Sequence, residues 1–512
     1  MNKTLIVIGT LVALEFLSST ARGQGKAFSN VTVSSGVEAV VDAVYRASPK
    51  VWLSGIDLVD LDGDGKLDLF LSAHSQKGAT AALGDGKGHF TYVDAADGTI
   101  PPSEIHLAYD INEDGKLDLQ MTFNDGGGKW WLNQSTPGHL NFVPTRMDLD
   151  GGQARQNAMI DIDRDGKVDW LHEGAHGSTT WDRGDGKGAL AQTGKALLST
   201  GWKDGVSMLP VDLNGDGQID LIMSMRGYEE EHTGRSRVYL NDGKMHFTDA
   251  TKACGLAEAG LQIMGVGDFN HDGSLDLICL EQGRDVTVYL NDGKGKFTKL
   301  PGAVTGMDRA SRPIYANWGM AVTVDLDNDG IPDVIMNGRN FLYVLKGTGG
   351  GYFACMNKAW GIDDYSDAAV DAGLCFGDID GDGRIDLLGF KSADYRDQRR
   401  VKVYHNDLPK QSYLRVRPIG LAGNKGAAGA KIRVYEAGGL GDATRLVGYE
   451  QVTIWARQVC HSYYSYTQTE RHFGLGDRQT VDVSVEFYPS GKTVEQKGVT
   501  ANRTVVVEES QK

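Results

Sequence analysis

The chain has 512 residues, with 68 Gly against only 12 Pro and a formal charge of -16 at neutral pH. The acidic excess excludes a protein built to neutralise a nucleic acid backbone and points to cations as partners. Length alone predicts roughly three domains, fewer if the chain repeats itself.

The N-terminus carries Lys3, an apolar run over 5–14 and small residues with Ala21 and Gly23 at a cleavage position. Residues 1–23 therefore read as a secretory signal peptide, and the expected location is secreted, periplasmic or cell-surface. The apolar run is too short to span a bilayer, so no transmembrane segment is expected beyond it. The five cysteines, Cys254, Cys279, Cys355, Cys375 and Cys460, are odd in number, so at least one is free or pairs between chains. Cys279 and Cys375 lie in apolar, strand-like runs and read as buried thiols.

At residues 60–70 the sequence reads DLDGDGKLDLF. Asp60, Asp62, Asp64 and Asp68 fill places 1, 3, 5 and 9 of a loop, with Gly65 at place 6, the opening of a calcium-binding loop. An EF-hand needs Glu at place 12 and a helix behind it. Place 12 is Leu71, and LDLFLS reads as a strand. The loop recurs six times, starting at Asp110, Asp161, Asp212, Asp268, Asp325 and Asp378, with steps of 50, 51, 51, 56, 57 and 53 residues. Such a period marks a repeat architecture.

Each repeat has an apolar segment before the loop, a second after it, a variable polar stretch and a third segment ending in a Gly-rich turn such as YLNDGKGKF. Asp-Gly between apolar runs is a hairpin signal. Four short antiparallel strands in about 50 residues make a propeller blade, so the expected fold is all-β: a seven-bladed β-propeller with calcium-binding hairpin loops, followed by a small β-rich domain. The aromatic fourth-strand signature of the last repeat is missing after it and present ahead of the first repeat, at 28–32. That segment is expected to close the ring and remove its open edges.

Loop, hairpin and aromatic strand in this order resemble the FG-GAP/VCBS repeats of integrin-alpha-like propellers. NKGAAGAKIRVYEAGG, RHFGLGD and EFYPSGKTVEQKGVTANRTVVV, from about Ser412 on, resemble the ASPIC/UnbV domain. The expected division is 1–23, 24–410 and 411–512. The resemblance implies an exported protein and calcium at each loop. The ligands would be Asp60, Asp62, Asp64, Lys66 and Asp68; Asp110, Asn112, Asp114, Lys116 and Asp118; and Asp161, Asp163, Asp165, Lys167 and Asp169. The fourth and fifth sets are Asp212, Asn214, Asp216, Gln218 and Asp220, and Asp268, Asn270, Asp272, Ser274 and Asp276. The last two are Asp325, Asp327, Asp329, Ile331 and Asp333, and Asp378, Asp380, Asp382, Arg384 and Asp386. Place 7 gives its backbone carbonyl and the other places their side chains. Asn at place 3 keeps a hard oxygen and lowers the site charge by one. Up to seven Ca²⁺ would offset 14 of the 16 excess negative charges. Mg²⁺ fits less well, because it prefers water-rich octahedra.

HEGAH at 172–176 has zinc-protease spacing, but it follows an apolar strand and contains Gly, so it reads as a strand end and loop. Arg183-Gly184-Asp185 lies in a hairpin turn and reads as turn chemistry before adhesion. The face opposite the calcium loops, made of the variable second-to-third strand loops and the inter-blade connections beside them, is expected to carry His106, Arg155, Trp202, Tyr315, Trp318 and Arg339, residue types that anchor interfaces and stack on sugars. The expected function is an extracellular binding or adhesion module for a protein or glycan, with structural calcium. The alternative is a carbohydrate-active lyase or hydrolase using the open propeller face.

Overall fold

A computed structural model describes residues 27–49, 51, 53–73, 80–93, 105–122, 128–145, 156–173, 178–200, 206–225, 236–256, 261–281, 285–307, 319–338, 341–362, 371–392, 400–459, 462–466 and 469–510. One antiparallel meander recurs along the chain, and we call each copy a unit. In the first unit, Leu53–Val59, Asp68–Ala73, Thr80–Gly84 and Phe90–Val93 pair in sequence order. The next five start at Ile105–Tyr109, Gln156–Ile160, Val206–Val211, Leu261–Gly267 and Gly319–Val324 and keep the same order. The seventh has three strands of its own: Asp371–Gly377, Asp386–Ser392 and Arg400–Asn406. Its fourth is Phe28–Asn30 from the N-terminal end, with Phe28 opposite Asn406.

The second strand explains how the units assemble. In Asp68–Ala73 every residue is buried, so both faces of the sheet are covered. One apolar cluster joins the first unit to the seventh, through Leu58, Leu69, Leu388 and Val403, under the helix Val37–Ala47. Others join the first unit to the second, the fourth to the fifth and the fifth to the sixth. Face-to-face packing of meanders, with last against first, is the arrangement of a β-propeller.

The C-terminal part has its own apolar core around Leu414, Ile432, Val434, Phe473, Val483 and Val505. One sheet joins Ser412–Ile419, Arg471–Gly476 and Arg503–Glu508; a second joins Lys431–Glu436, Leu446–Gln451, Thr480–Glu486 and Thr493–Thr500. The hairpin Ile454–Val459 and Ser462–Tyr466 leaves this core. It pairs antiparallel with Gln156–Ile160 and meets Leu53–Val59 in parallel, at Gly55 opposite Tyr463. Those are the first strands of the third and first units, whose free edges it covers. Cys254, Cys279 and Cys375 are buried free thiols; Cys460 lies outside the described residues.

Neighbouring units are also fastened by asparagine. Asn291 Nδ2 donates to the carbonyl of Leu213 in the preceding unit at 2.8 Å and to that of Leu275 in its own at 3.0 Å. Asn133 does the same with Leu61 and Leu117, and Asn406 with Leu326 and Ile385. Asn291→Ala would leave two buried carbonyls without a donor. It is expected to cost about 2 kcal/mol in urea unfolding, against about 0.5 kcal/mol or less for an exposed change such as Lys294→Ala.

Candidate metal centres

Each loop wraps around its own carboxylates. The carboxylate at place 1 accepts the backbone N–H of the place-6 Gly in all seven copies, at 2.7–3.0 Å. That Gly has φ between 79° and 93°, a turn where a side chain is strained. Place 9 is the first residue of the second strand, and its carboxylate is at most 1% exposed. One of its oxygens accepts the place-2 N–H. The other accepts an N–H from the end of the third strand: Gly84, Asn133, Gly184, Asn241, Asn291, Gly347 or Asn406.

The geometry brings places 1, 3 and 9 together. Oxygens of Asp60, Asp62 and Asp68 lie within 4.8 Å of one another, as do those of Asp161, Asp163 and Asp169, of Asp325, Asp327 and Asp333, and of Asp378, Asp380 and Asp386. Each of these clusters could hold a metal ion. Loops two, four and five carry Asn112, Asn214 and Asn270 at place 3 and so contribute fewer carboxylates. Place 5 is already engaged by a neighbour: Asp64 Oδ2 meets Lys66 Nζ at 2.5 Å, and Asp114 Oδ2 accepts from Asn112 Nδ2 at 3.1 Å. Asp380, Asp382 and His405 form a further trio, with His405 Nε2 at 3.0 Å from Asp380. His405 has no counterpart in the loop pattern and is invisible to it.

Burial pushes the carboxyl groups of Asp68, Asp118, Asp169, Asp220, Asp276 and Asp386 up to about 7, against the backbone N–H donors that pull them down. The same cause lifts Asp161 to about 7 and Asp268 to about 8, with neighbouring aspartates adding to it. Between pH 4 and pH 8 the metal-free folded state therefore binds more protons than the unfolded chain. Stability must fall as pH rises through that window. The melting temperature of chelator-treated protein is expected to drop by several degrees from pH 5 to pH 8, read by circular dichroism. A flat or rising profile would contradict the strain assigned to these carboxylates.

The loop face is not open. Lys431 Nζ, from the C-terminal part, lies 2.6 Å from Asp212 Oδ2, both side chains nearly buried. Gln451 accepts the Asp212 N–H at 3.0 Å. Arg415 reaches Asp378 at 3.2 Å, and Tyr488 donates to the Asp161 carbonyl at 2.9 Å. Gly423 donates to Glu113 at 2.7 Å and Gly476 to the Asn328 carbonyl at 2.7 Å. A Cβ on Gly474 would meet Asp325 Oδ2 at 2.0 Å and Asn328 Cα at 2.5 Å, so a glycine is required where the sixth loop is gripped. A cavity of about 120 Å³ remains between the first strands of units four to six and the C-terminal part, lined by Ser207, Met264, Val322, Glu450 and His472 among others. Burial lifts the Glu450 carboxyl to about 7 despite Arg471, and lowers His472 to about 3.

His172 and Glu173 end the strand Asp169–Glu173, and this strand conformation does not present the helical face that zinc-protease spacing needs. Arg183 of the adhesion-like tripeptide is bound to Asp163 and Asp165, both at 2.9 Å. Arg155, Trp202, Tyr315, Trp318 and Arg339 lie outside the described residues, as does the His106 side chain. No described helix is long and apolar enough to cross a membrane.

The FG-GAP-like repeat profile matches residues 60–119, 110–172, 212–279, 268–336 and 325–389, more than half of the chain. The ASPIC and UnbV profile matches 420–512. A T-cell immunomodulatory protein homolog of Plasmodium yoelii yoelii is 22% identical over 404 residues, covering 69% of this chain and 54% of its own length. The chain thus spans about half the length of that relative. Among solved structures, an Agrocybe aegerita lectin recognising non-reducing terminal N-acetylglucosamine is 24% identical, with a TM-score of 0.42 over 59% of this chain and 79% of its own. The BP39L lectin of Burkholderia pseudomallei is 11% identical, with a TM-score of 0.43 over 70% of this chain and 98% of its own. The chain belongs to the FG-GAP-like repeat family and ends in an ASPIC and UnbV domain.

Proposed function

We propose an exported binding module: a seven-bladed β-propeller, residues 24–410, held by calcium in its hairpin loops and joined to the C-terminal domain 411–512. The observation that carries this reading is the convergence of a buried place-9 carboxylate with buried or half-buried carboxylates at places 1 and 3, in loops that recur at one register. Bound calcium would supply the positive charge that these carboxylates lack. The place-1, place-3 and place-9 side chains would hold it, with the place-5 carboxylate and the place-7 carbonyl as further oxygen donors. The role is structural, because each loop joins the first two strands of its own unit. Sites of this kind in extracellular modules work at high calcium, which agrees with the signal peptide read at residues 1–23.

The partner surface follows from the loop face being covered. A meander puts its first-to-second turn at one end and its second-to-third turn at the other. The C-terminal domain occupies the first end at units two, three, four, six and seven. The opposite end, formed by the second-to-third loops such as the one with Arg339 and by the connections between units that carry Arg155, Trp202, Tyr315 and Trp318, is then the surface for a protein or glycan.

Chelation followed by dialysis is expected to lower the melting temperature by 10 °C or more, and added Ca²⁺ to restore it; an unchanged value after verified removal removes the structural ion. A glycan array with calcium present is expected to show one sugar class bound, weakened by Trp202→Ala or Trp318→Ala. Silence moves the reading to a protein partner, and release of new sugar ends from a polysaccharide moves it to the enzyme.

A further inference from the structure

The third strand of each unit supplies a donor to the place-9 carboxylate, and the residue just before that donor holds one register position throughout. In units one, two, four and five this residue is Leu83, Leu132, Leu240 and Leu290. In units three, six and seven it is Arg183, Lys346 and His405. All three approach places 3 and 5 of their own loop. Arg183 meets Asp163 and Asp165 at 2.9 Å each. Lys346 Nζ contacts Asp327 and lies 2.8 Å from Asp329. His405 lies 3.0 Å from Asp380 and 4.0 Å from Asp382.

The substitution follows a rule within the chain. Where the third strand offers a basic residue, place 3 is Asp. Where place 3 is Asn, the third strand offers Leu, and the Asn amide gives the place-5 carboxylate its donor, at 3.1, 2.9 and 2.8 Å in loops two, four and five. The first loop alone has four Asp together with a leucine, Leu83, at that register position. Among the described residues its cation is Lys66, on the loop itself and paired with place 5 alone. Four carboxylates in one loop repel each other unless a positive charge is near. In the third and sixth loops that charge is already built in.

We propose that the loops form two classes of calcium site, and that Arg183 and Lys346 are internal counter-cations weakening the third and sixth. The inference rests on the calcium reading above. An incoming ion there must break or share an ion pair to places 3 and 5. At the first loop it meets no third-strand cation, and the basic side chain there, Lys66, holds place 5 alone. The protein then keeps part of its ring charge-balanced when calcium is scarce.

The test is a calcium titration of the full chain by calorimetry, with native mass spectrometry counting ions at limiting calcium. Wild type is expected to fill in two steps separated by tenfold or more. Lys346→Met and, separately, Arg183→Leu should each move one ion into the tight step. Both should lower the melting temperature in chelator and match wild type in saturating calcium. Leu83→Lys should do the reverse and remove one tight ion. If calcium binds but all three variants leave the count and the steps unchanged, the two-class proposal is overturned and the calcium reading stands. If no calcium binds to wild type, both fall, even should Lys346→Met still destabilise.

Discussion

The rest of the structure depends on the double acceptance of backbone N–H groups by one buried carboxylate per unit. The place-9 aspartate starts the second strand, and its two oxygens take donors from the loop before it and from the end of the third strand. One side chain thus fixes three segments that would otherwise meet only through strand pairing. The cost is a carboxylate with almost no contact with water, which burial pushes toward neutrality. A cation nearby resolves that cost, and several features of the loop face bring one.

Three such ways are visible. Bound metal would be the first, at the places where carboxylate oxygens converge within 4.8 Å. The second is the basic residue on the third strand, in units three, six and seven. The third comes from outside the ring: Lys431 on Asp212 and Arg415 on Asp378 reach the fourth and seventh loops from the C-terminal part. Among the described residues, the first loop shows neither of the last two.

The loop, its spacing and the borrowing of Phe28–Asn30 by the last unit were legible because each is local or strictly periodic. Asp at alternate places and Gly at place 6 are dictated by a turn of a few residues, and seven copies separate that rule from chance. His405, Lys346 and Arg183 were not legible in the same way. Their meaning lies in the register between the third strand and a loop some 20 residues earlier, and that register shows only once the place-9 donors are known. The asparagines at 133, 291 and 406 recur in the hairpin turns and look like ordinary turn residues. Their bond to the preceding unit depends on how units stack. The covering of the loop face could not be read at all, because it joins Lys431 to Asp212 across more than 200 residues.

That covering changes what the C-terminal domain is. A separate module on a linker would leave the ring free to act alone. Instead the hairpin Ile454–Val459 and Ser462–Tyr466 pairs with first strands of the ring, while Lys431, Arg415 and Gly474 close over the loops. Hydrogen-bonded strand edges and buried ion pairs both resist separation, since parting them exposes unpaired backbone groups and uncompensated charge. The loops and the domain therefore share one electrostatic problem. A change in the charge held by the fourth or seventh loop acts directly on the grip of Lys431 or Arg415, so the cation content of the ring and the seating of the domain are physically linked.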